Sequence, residues 1–260
     1  MDNPRKYGRA PYEVALIHGG PGAPGEMAPV ARELASKFGV LEPLQTANTL
    51  EGQIVELKNI LENNAAVPCS LVGYSWGAWL SIIVAARYPL LVKRMILISS
   101  GPFEAKYARD IMKTRLSRLE AGEREEIISF VESLDDVDSS EMNNRMARFG
   151  LLMSKADSFD PIPHANEVSQ VQSEIFQNVW KEADELRGSG KLLELAGKVQ
   201  CPVLAIHGDH DPHPAKGVEN PLSHLLTNFR FILIRNCGHT PWIERQAKDK
   251  FYKILKRECR

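Results

Sequence analysis

C-S-L-V-G-Y-S-W-G-A-W-L-S-I-I-V-A-A-R, residues 69–87, passes from an apolar segment through Gly73-Tyr74-Ser75-Trp76-Gly77 into a second, almost wholly apolar segment. The first part has the content of a buried strand, and the second is long enough for a helix covered on most sides. A serine between them, with glycine two residues before and two after, is the G-x-S-x-G turn in the context it requires. The glycines keep side chains out of a crowded bend that holds Ser75 in a strained conformation, its hydroxyl projecting from the sheet edge. Ser75 is therefore the candidate nucleophile. The backbone N–H of Trp76, the next residue, is a candidate donor to a developing oxyanion.

Working outward, residues 12–18 (Y-E-V-A-L-I-H) read as a strand running into His18-Gly19-Gly20-Pro21-Gly22. Such a glycine loop can present a second oxyanion donor. Pro21 has no N–H, so the donor is Gly19 or Gly20, with Gly20 favoured. The chain carries no G-K-S/T here, which argues against a P-loop phosphate cradle. His18 reads as a support for this loop.

Further strands are expected at 40–44, 92–99, 202–207 and 229–235, and helices at 50–62, 214–227 and 242–257. The alternation implies a parallel sheet with right-handed crossovers. With so little chain ahead of residue 12, the expectation is a six-stranded, all-parallel sheet without a leading strand pair.

Residues 103–197 differ. They are charged, contain no convincing strand and show helical spacing throughout. Tyr107, Ile111 and Leu119 form one apolar series, and Ile127, Val131 and Leu134 another. Met142, Met146, Phe149 and Met153 form a third, and Val168, Val171, Ile175 and Val179 a fourth, with Asp160-Pro161-Ile162-Pro163 breaking the run. The expected organisation is a core of residues 1–102 and 198–260 with a four- or five-helix cap, 103–197, inserted. The cap's acidic residues (Glu120, Glu123, Glu125, Glu126, Glu132, Asp135, Asp136) read as solvated faces. Its methionine-rich series suggests an adaptable pocket for an uncharged group.

His239, in Cys237-Gly238-His239-Thr240-Pro241-Trp242, follows the last strand and is placed to act as general base for Ser75. The acid comes from His207-Gly208-Asp209-His210-Asp211-Pro212-His213, where Asp209 and Asp211 compete. Asp209, nearer the strand end, suits a turn-bracing role, and Asp211 is the favoured orienter of His239. The same seven residues admit a rival metal-site reading, but no companion ligands lie near His164 or His224. No metal and no cofactor is expected.

A formal net charge of -1 over 260 residues gives no broad basic surface, so nucleic acid is not an expected partner. The N-terminus lacks the apolar core of a signal peptide, and residues 78–86 are far too short to span a bilayer. The four scattered cysteines (Cys69, Cys201, Cys237, Cys259) read as reduced thiols, which points to a cytoplasmic protein with no membrane partner.

Together these segments resemble the α/β-hydrolase superfamily, whose triad runs in the order Ser, Asp, His. The resemblance implies that the acid occupies the last place of a G-x-x-D pattern, Gly208 to Asp211, and that the inserted helices cap the site. H-G-G-P-G with G-x-S-W-G looks most similar to prolyl aminopeptidases, although Leu41-Glu42-Pro43-Leu44-Gln45-Thr46 stands where those enzymes carry a D-Q-R-G-type segment. The leading expectation is a serine hydrolase of small-molecule esters or lactones. A prolyl-type aminopeptidase and a small-ligand receptor on the same fold are the alternatives.

Overall fold

The computed structural model describes residues 2–132, 139–164, 168 and 172–260. In chain order it contains β1 (Arg5–Tyr7), β2 (Tyr12–Ile17), α1 (Ala28–Leu34), β3 (Gly39–Glu42), α2 (Leu50–Asn64), β4 (Cys69–Tyr74), α3 (Trp76–Arg87) and β5 (Val92–Ile98). Then come α4 (Ile111–Ser117), α5 (Ala121–Glu132), α6 (Ser139–Asp157), α7 (Ser173–Gly188), α8 (Lys191–Ala196), β6 (Val203–Gly208), α9 (Lys216–Leu225), β7 (Phe229–Ile234) and α10 (Lys248–Glu258).

The strands form one seven-stranded sheet in the order β1-β3-β2-β4-β5-β6-β7. Alternate strand residues supply two cores. Ala15, Ile17, Leu71, Leu97 and Ala205 face α2, α3, α8 and α9. Leu16, Val72, Ile96, Ile98 and Ile206 face α1 and α10, where they meet Leu34, Phe251 and Leu255. Burial on both faces explains why these strands read as continuous apolar runs.

The expected six-stranded, all-parallel sheet is corrected at its edge. A seventh strand, β1, pairs antiparallel with β3 in the register Arg5↔Glu42, Lys6↔Leu41 and Tyr7↔Val40. Three residues are too few to carry a periodic signal. The strand is held by its partner, with the Tyr7 hydroxyl donating to Glu42 Oε2 at 2.7 Å and Arg5 lying 3.7 Å from the same oxygen. A single strand precedes β2 among the described residues, and no hairpin.

Helices α4 to α8 fall between β5 and β6. Leu119, Ile127, Leu152 and Met153 bury together, as do Phe130, Met142 and Met146. On α5 the inward residues are Ile127 and Phe130, while Val131 is exposed, so that expected series is off by one position. Leu134 and Val171 lie outside the described residues. Ile175, Val179 and Ala183 of α7 and Leu192 and Ala196 of α8 pack into the sheet core beside α3. The expected C-terminal helix divides into a 3-10 turn, Pro241–Ile243, and α10.

Candidate active site

Ser75 joins β4 to α3 with φ 51° and ψ −113°, a left-handed region rarely open to residues with a side chain. Two close approaches require the flanking glycines. A Cβ on Gly73 would strike the carbonyl of Gly77, and one on Gly77 would strike the carbonyls of Ile17 and His18. The bend is fixed by the Ser75 N–H donating to Ile98 O of β5 at 2.9 Å.

The structure brings Ser75, His239 and Asp211 into one hydrogen-bonded chain. Ser75 Oγ lies 3.1 Å from His239 Nε2, and His239 Nδ1 lies 2.7 Å from Asp211 Oδ2. Both bonds hold at once if Nδ1 carries the proton, which leaves the Nε2 lone pair facing the serine hydroxyl. Asp209 is exposed, and its Oδ1 accepts from the Cys237 N–H at 3.3 Å, so it braces the neighbouring loop.

Asp211 also serves two further histidines. Its Oδ1 accepts from the His213 backbone N–H at 2.9 Å and from His213 Nδ1 at 2.8 Å, and His207 Nε2 lies 3.4 Å from Oδ2. His207 Nε2 donates to the His213 carbonyl at 2.8 Å. Burial alone would raise the Asp211 carboxyl, but the facing histidines, His239 foremost, hold it well below the usual carboxylate range. For His239, burial opposes protonation, yet the charge and hydrogen bond of Asp211, with Asp157 behind, raise its pKa above the ordinary histidine value. Burial pushes His213 down to about 4.

Asp211, His213 and His239 bring one potential metal-ligand atom each within 4.8 Å of one another. However, the Nδ1 atoms of both histidines must carry protons to bond the carboxylate, so the present arrangement is a donor set around Asp211. His210 turns away, its ring against Phe159 at 5.2 Å.

The glycine loop is held from two sides. His18, fully buried, places Nδ1 2.8 Å from Gly19 O and Nε2 3.0 Å from Leu44 O, while Glu26 Oε2 accepts from the Gly19 N–H at 3.0 Å. With the Gly19 carbonyl turned to His18, the trans peptide directs the Gly20 N–H the opposite way. Gly20 and Ser75 line the same cavity, and Trp76 is the first residue of α3. Burial raises the Glu26 carboxyl to about 7.

Two residues absent from the sequence reading fix the histidine loop. Glu244, fully buried, accepts from the backbone N–H groups of Gly238, Phe159 and Asp160 at 3.0, 2.8 and 2.8 Å. Asp157, at the end of α6, forms a two-pronged ion pair with Arg115 of α4, at 2.7 and 2.6 Å. Both Asp157 and Arg115 line the cavity.

That cavity has a volume of about 1160 Å³. Between Ser75 and the inserted helices its wall includes Met112, Met146, Phe149, Met153, Phe176 and Trp180. Trp180 stacks on Trp79 at 5.8 Å and on Phe176 at 6.2 Å. Of the acidic residues singled out in the insertion, none that is described reaches this wall. Glu123 binds Lys155 and Glu126 binds Arg148 on outer faces, and Asp135 and Asp136 lie outside the described residues. Among the described residues, the carboxylates that do line it are Glu26, Glu33 and Asp157. Among the described residues no helix is long and apolar enough to cross a membrane.

The chain is 24% identical over 261 residues to a proline iminopeptidase of Lactobacillus delbrueckii subsp. lactis, a match covering 92% of this chain and 87% of that protein. It is 25% identical over 244 residues to a pimeloyl-[acyl-carrier protein] methyl ester esterase of Chromobacterium violaceum, covering 90% and 89% respectively. The crystal structure of VinJ superposes with a TM-score of 0.70 at 18% identity, covering 98% of this chain and 93% of that one, which shows a shared fold. The family model described as alpha/beta hydrolase fold matches residues 54–246. With that match spanning most of the sequence, the chain belongs to the α/β-hydrolase fold family.

Proposed function

We propose that this protein is a serine hydrolase that cleaves small carboxylic esters or lactones through an acyl-enzyme on Ser75. The observation that carries the reading is the Ser75–His239–Asp211 chain opening onto a cavity with a methionine- and aromatic-lined wall. Ser75 Oγ attacks the carbonyl carbon as His239 Nε2 takes the hydroxyl proton. Asp211 holds the histidine tautomer and steadies the imidazolium. The N–H groups of Gly20 and Trp76 receive the oxyanion. The tetrahedral intermediate expels the alcohol, which takes the proton from His239. Water then loses a proton to His239 and attacks the acyl-Ser75 ester, and collapse returns the proton to Ser75 and releases the acid.

The test is a fluorophosphonate probe beside a screen of chromogenic acyl esters. Ser75→Ala should abolish labelling and lower kcat by on the order of 10⁴ to 10⁶. Substantial turnover in that variant would overturn the mechanism.

A prolyl-type aminopeptidase is the second reading, favoured by the proline iminopeptidase similarity and by Glu26, a cavity carboxyl beside the glycine loop. The ester reading ranks first for two reasons. Of the described acids of the inserted helices, Asp157 alone reaches the cavity wall, and it is already neutralised by Arg115. Short-chain aryl esters should be cleaved faster than proline aryl-amides. A preference for proline amides that vanished on blocking the amine would reverse the ranking.

A further inference from the structure

His213 is not used by the mechanism above, although it sits at the reacting centre. Its ring packs on the His239 ring with centroids 4.5 Å apart and planes tilted by 32°. Its backbone is fixed at both ends, the N–H donating to Asp211 Oδ1 at 2.9 Å and the carbonyl accepting from His207 Nε2 at 2.8 Å. Its side chain is fixed by Nδ1, which donates to Asp211 Oδ1 at 2.8 Å. That bond commits the ring proton to Nδ1, because a carboxylate only accepts. Nε2 has no hydrogen-bond partner among the described residues, and His213 lines the cavity with Ser75 and His239. Burial pushes the group down to about 4, so at neutral pH the ring is uncharged and Nε2 presents a lone pair.

From this geometry we infer that His213 Nε2 is a substrate-binding acceptor, selecting esters whose acyl group bears a hydroxyl or amide N–H donor close to the scissile carbonyl. The inference rests on the ester-hydrolase reading and deepens it. Nε2 is open to the cavity, so an ester that covers it without offering a donor strips it of water with no replacement and is disfavoured as well as unassisted. The adjoining methionine and aromatic wall receives the remainder of the acyl chain, and the polar contact sets its registration against Ser75.

The test compares aryl butanoates carrying a hydroxyl at carbon 2 or carbon 3 with the matching methoxy esters. The two substituents withdraw electrons similarly, so their ratio of kcat/KM reports the hydrogen bond. Wild type should prefer the hydroxy ester by about tenfold at one position at least, the worth of one hydrogen bond to a neutral acceptor. His213→Asn keeps a side-chain N–H for Asp211 but places no acceptor where Nε2 stands. Its ratio should fall to within about twofold of unity. Because the ratio is taken within one variant, any loss of triad alignment cancels. His213→Gln, which can return an acceptor near the Nε2 position, should restore part of the preference.

Equal rates for hydroxy and methoxy esters in wild type would overturn the inference without any variant. So would a preference that survives in His213→Asn. In either case probe labelling at Ser75 and turnover of both esters would leave the hydrolase reading standing. Absence of labelling and of turnover would overturn both.

Discussion

The backbone N–H of His239 donates to the carbonyl oxygen of Asp157 at 2.9 Å, tying the histidine loop to the last turn of α6. The same residue's carboxylate acts on the imidazole through space, supporting its protonated form, while Arg115 opposes it. As the proposed base, His239 must be neutral to work, and its pKa is raised. Activity should therefore be full at high pH and fall as pH drops through a value above the ordinary histidine range. Asp157→Asn removes a supporting charge and leaves Arg115 unpaired, and both effects move that acid limb to lower pH. A pH profile of kcat/KM checks this, and an unmoved limb would refute it. The variant should also lose about 2 kcal/mol of stability, since it leaves a half-buried cation without its charged partner.

Asp211→Asn should lower kcat by on the order of 10⁴, against a few-fold for Asp209→Asn. Steady-state kinetics on one ester separates them, and the reverse order would reassign the acid.

Glu26 gives a stability signature. Its carboxyl titrates at about 7 in the fold against an ordinary 4.5, so the fold favours the neutral form. The cost is absent below about 4.5, grows as pH rises and is complete above about 7. Glu26→Gln keeps an oxygen for the Gly19 N–H and cannot ionise. It should match wild type at pH 4 and exceed it at pH 8 by at most about 3 kcal/mol, a ceiling that water in the cavity reduces. Thermal melts across that range decide the matter, and a difference that does not grow with pH would count against it.

Glu244→Ala would leave the N–H groups of Gly238, Phe159 and Asp160 without their acceptor. A loss of about 3–5 kcal/mol is expected, with a fall in kcat larger than any change in KM, because what moves is the histidine loop. Denaturant unfolding and kinetics on the same variant test both parts.

The elbow was legible because its geometry dictates residue types within a few positions: Gly73 and Gly77 stand where backbone leaves no room for a Cβ. Asp211 was distinguishable from Asp209 because two residues of chain decide whether a carboxylate stays beside its own strand or reaches His239. Glu26, Arg115, Asp157 and Glu244 carry no such local signature. Each looks like an ordinary loop or helix residue until the sheet brings α1, α6 and the loops after β6 and β7 together. Strand β1 was hidden for a related reason, since its partner lies more than thirty residues away.

That strand has a consequence for self-association. An uncovered sheet edge offers a row of unpaired N–H and C=O groups on which other chains can template. On one side β1 closes off β3, whose four residues are all buried, and it ends the ladder after three residues carrying Arg5 and Lys6. On the other side β7 is six residues long, with Leu233 exposed. Removing the residues ahead of Tyr12 would bare the buried strand and strip Glu42 of Arg5 and Tyr7 at once. The shortest strand in the sheet thus covers the edge that the buried β3 would otherwise present.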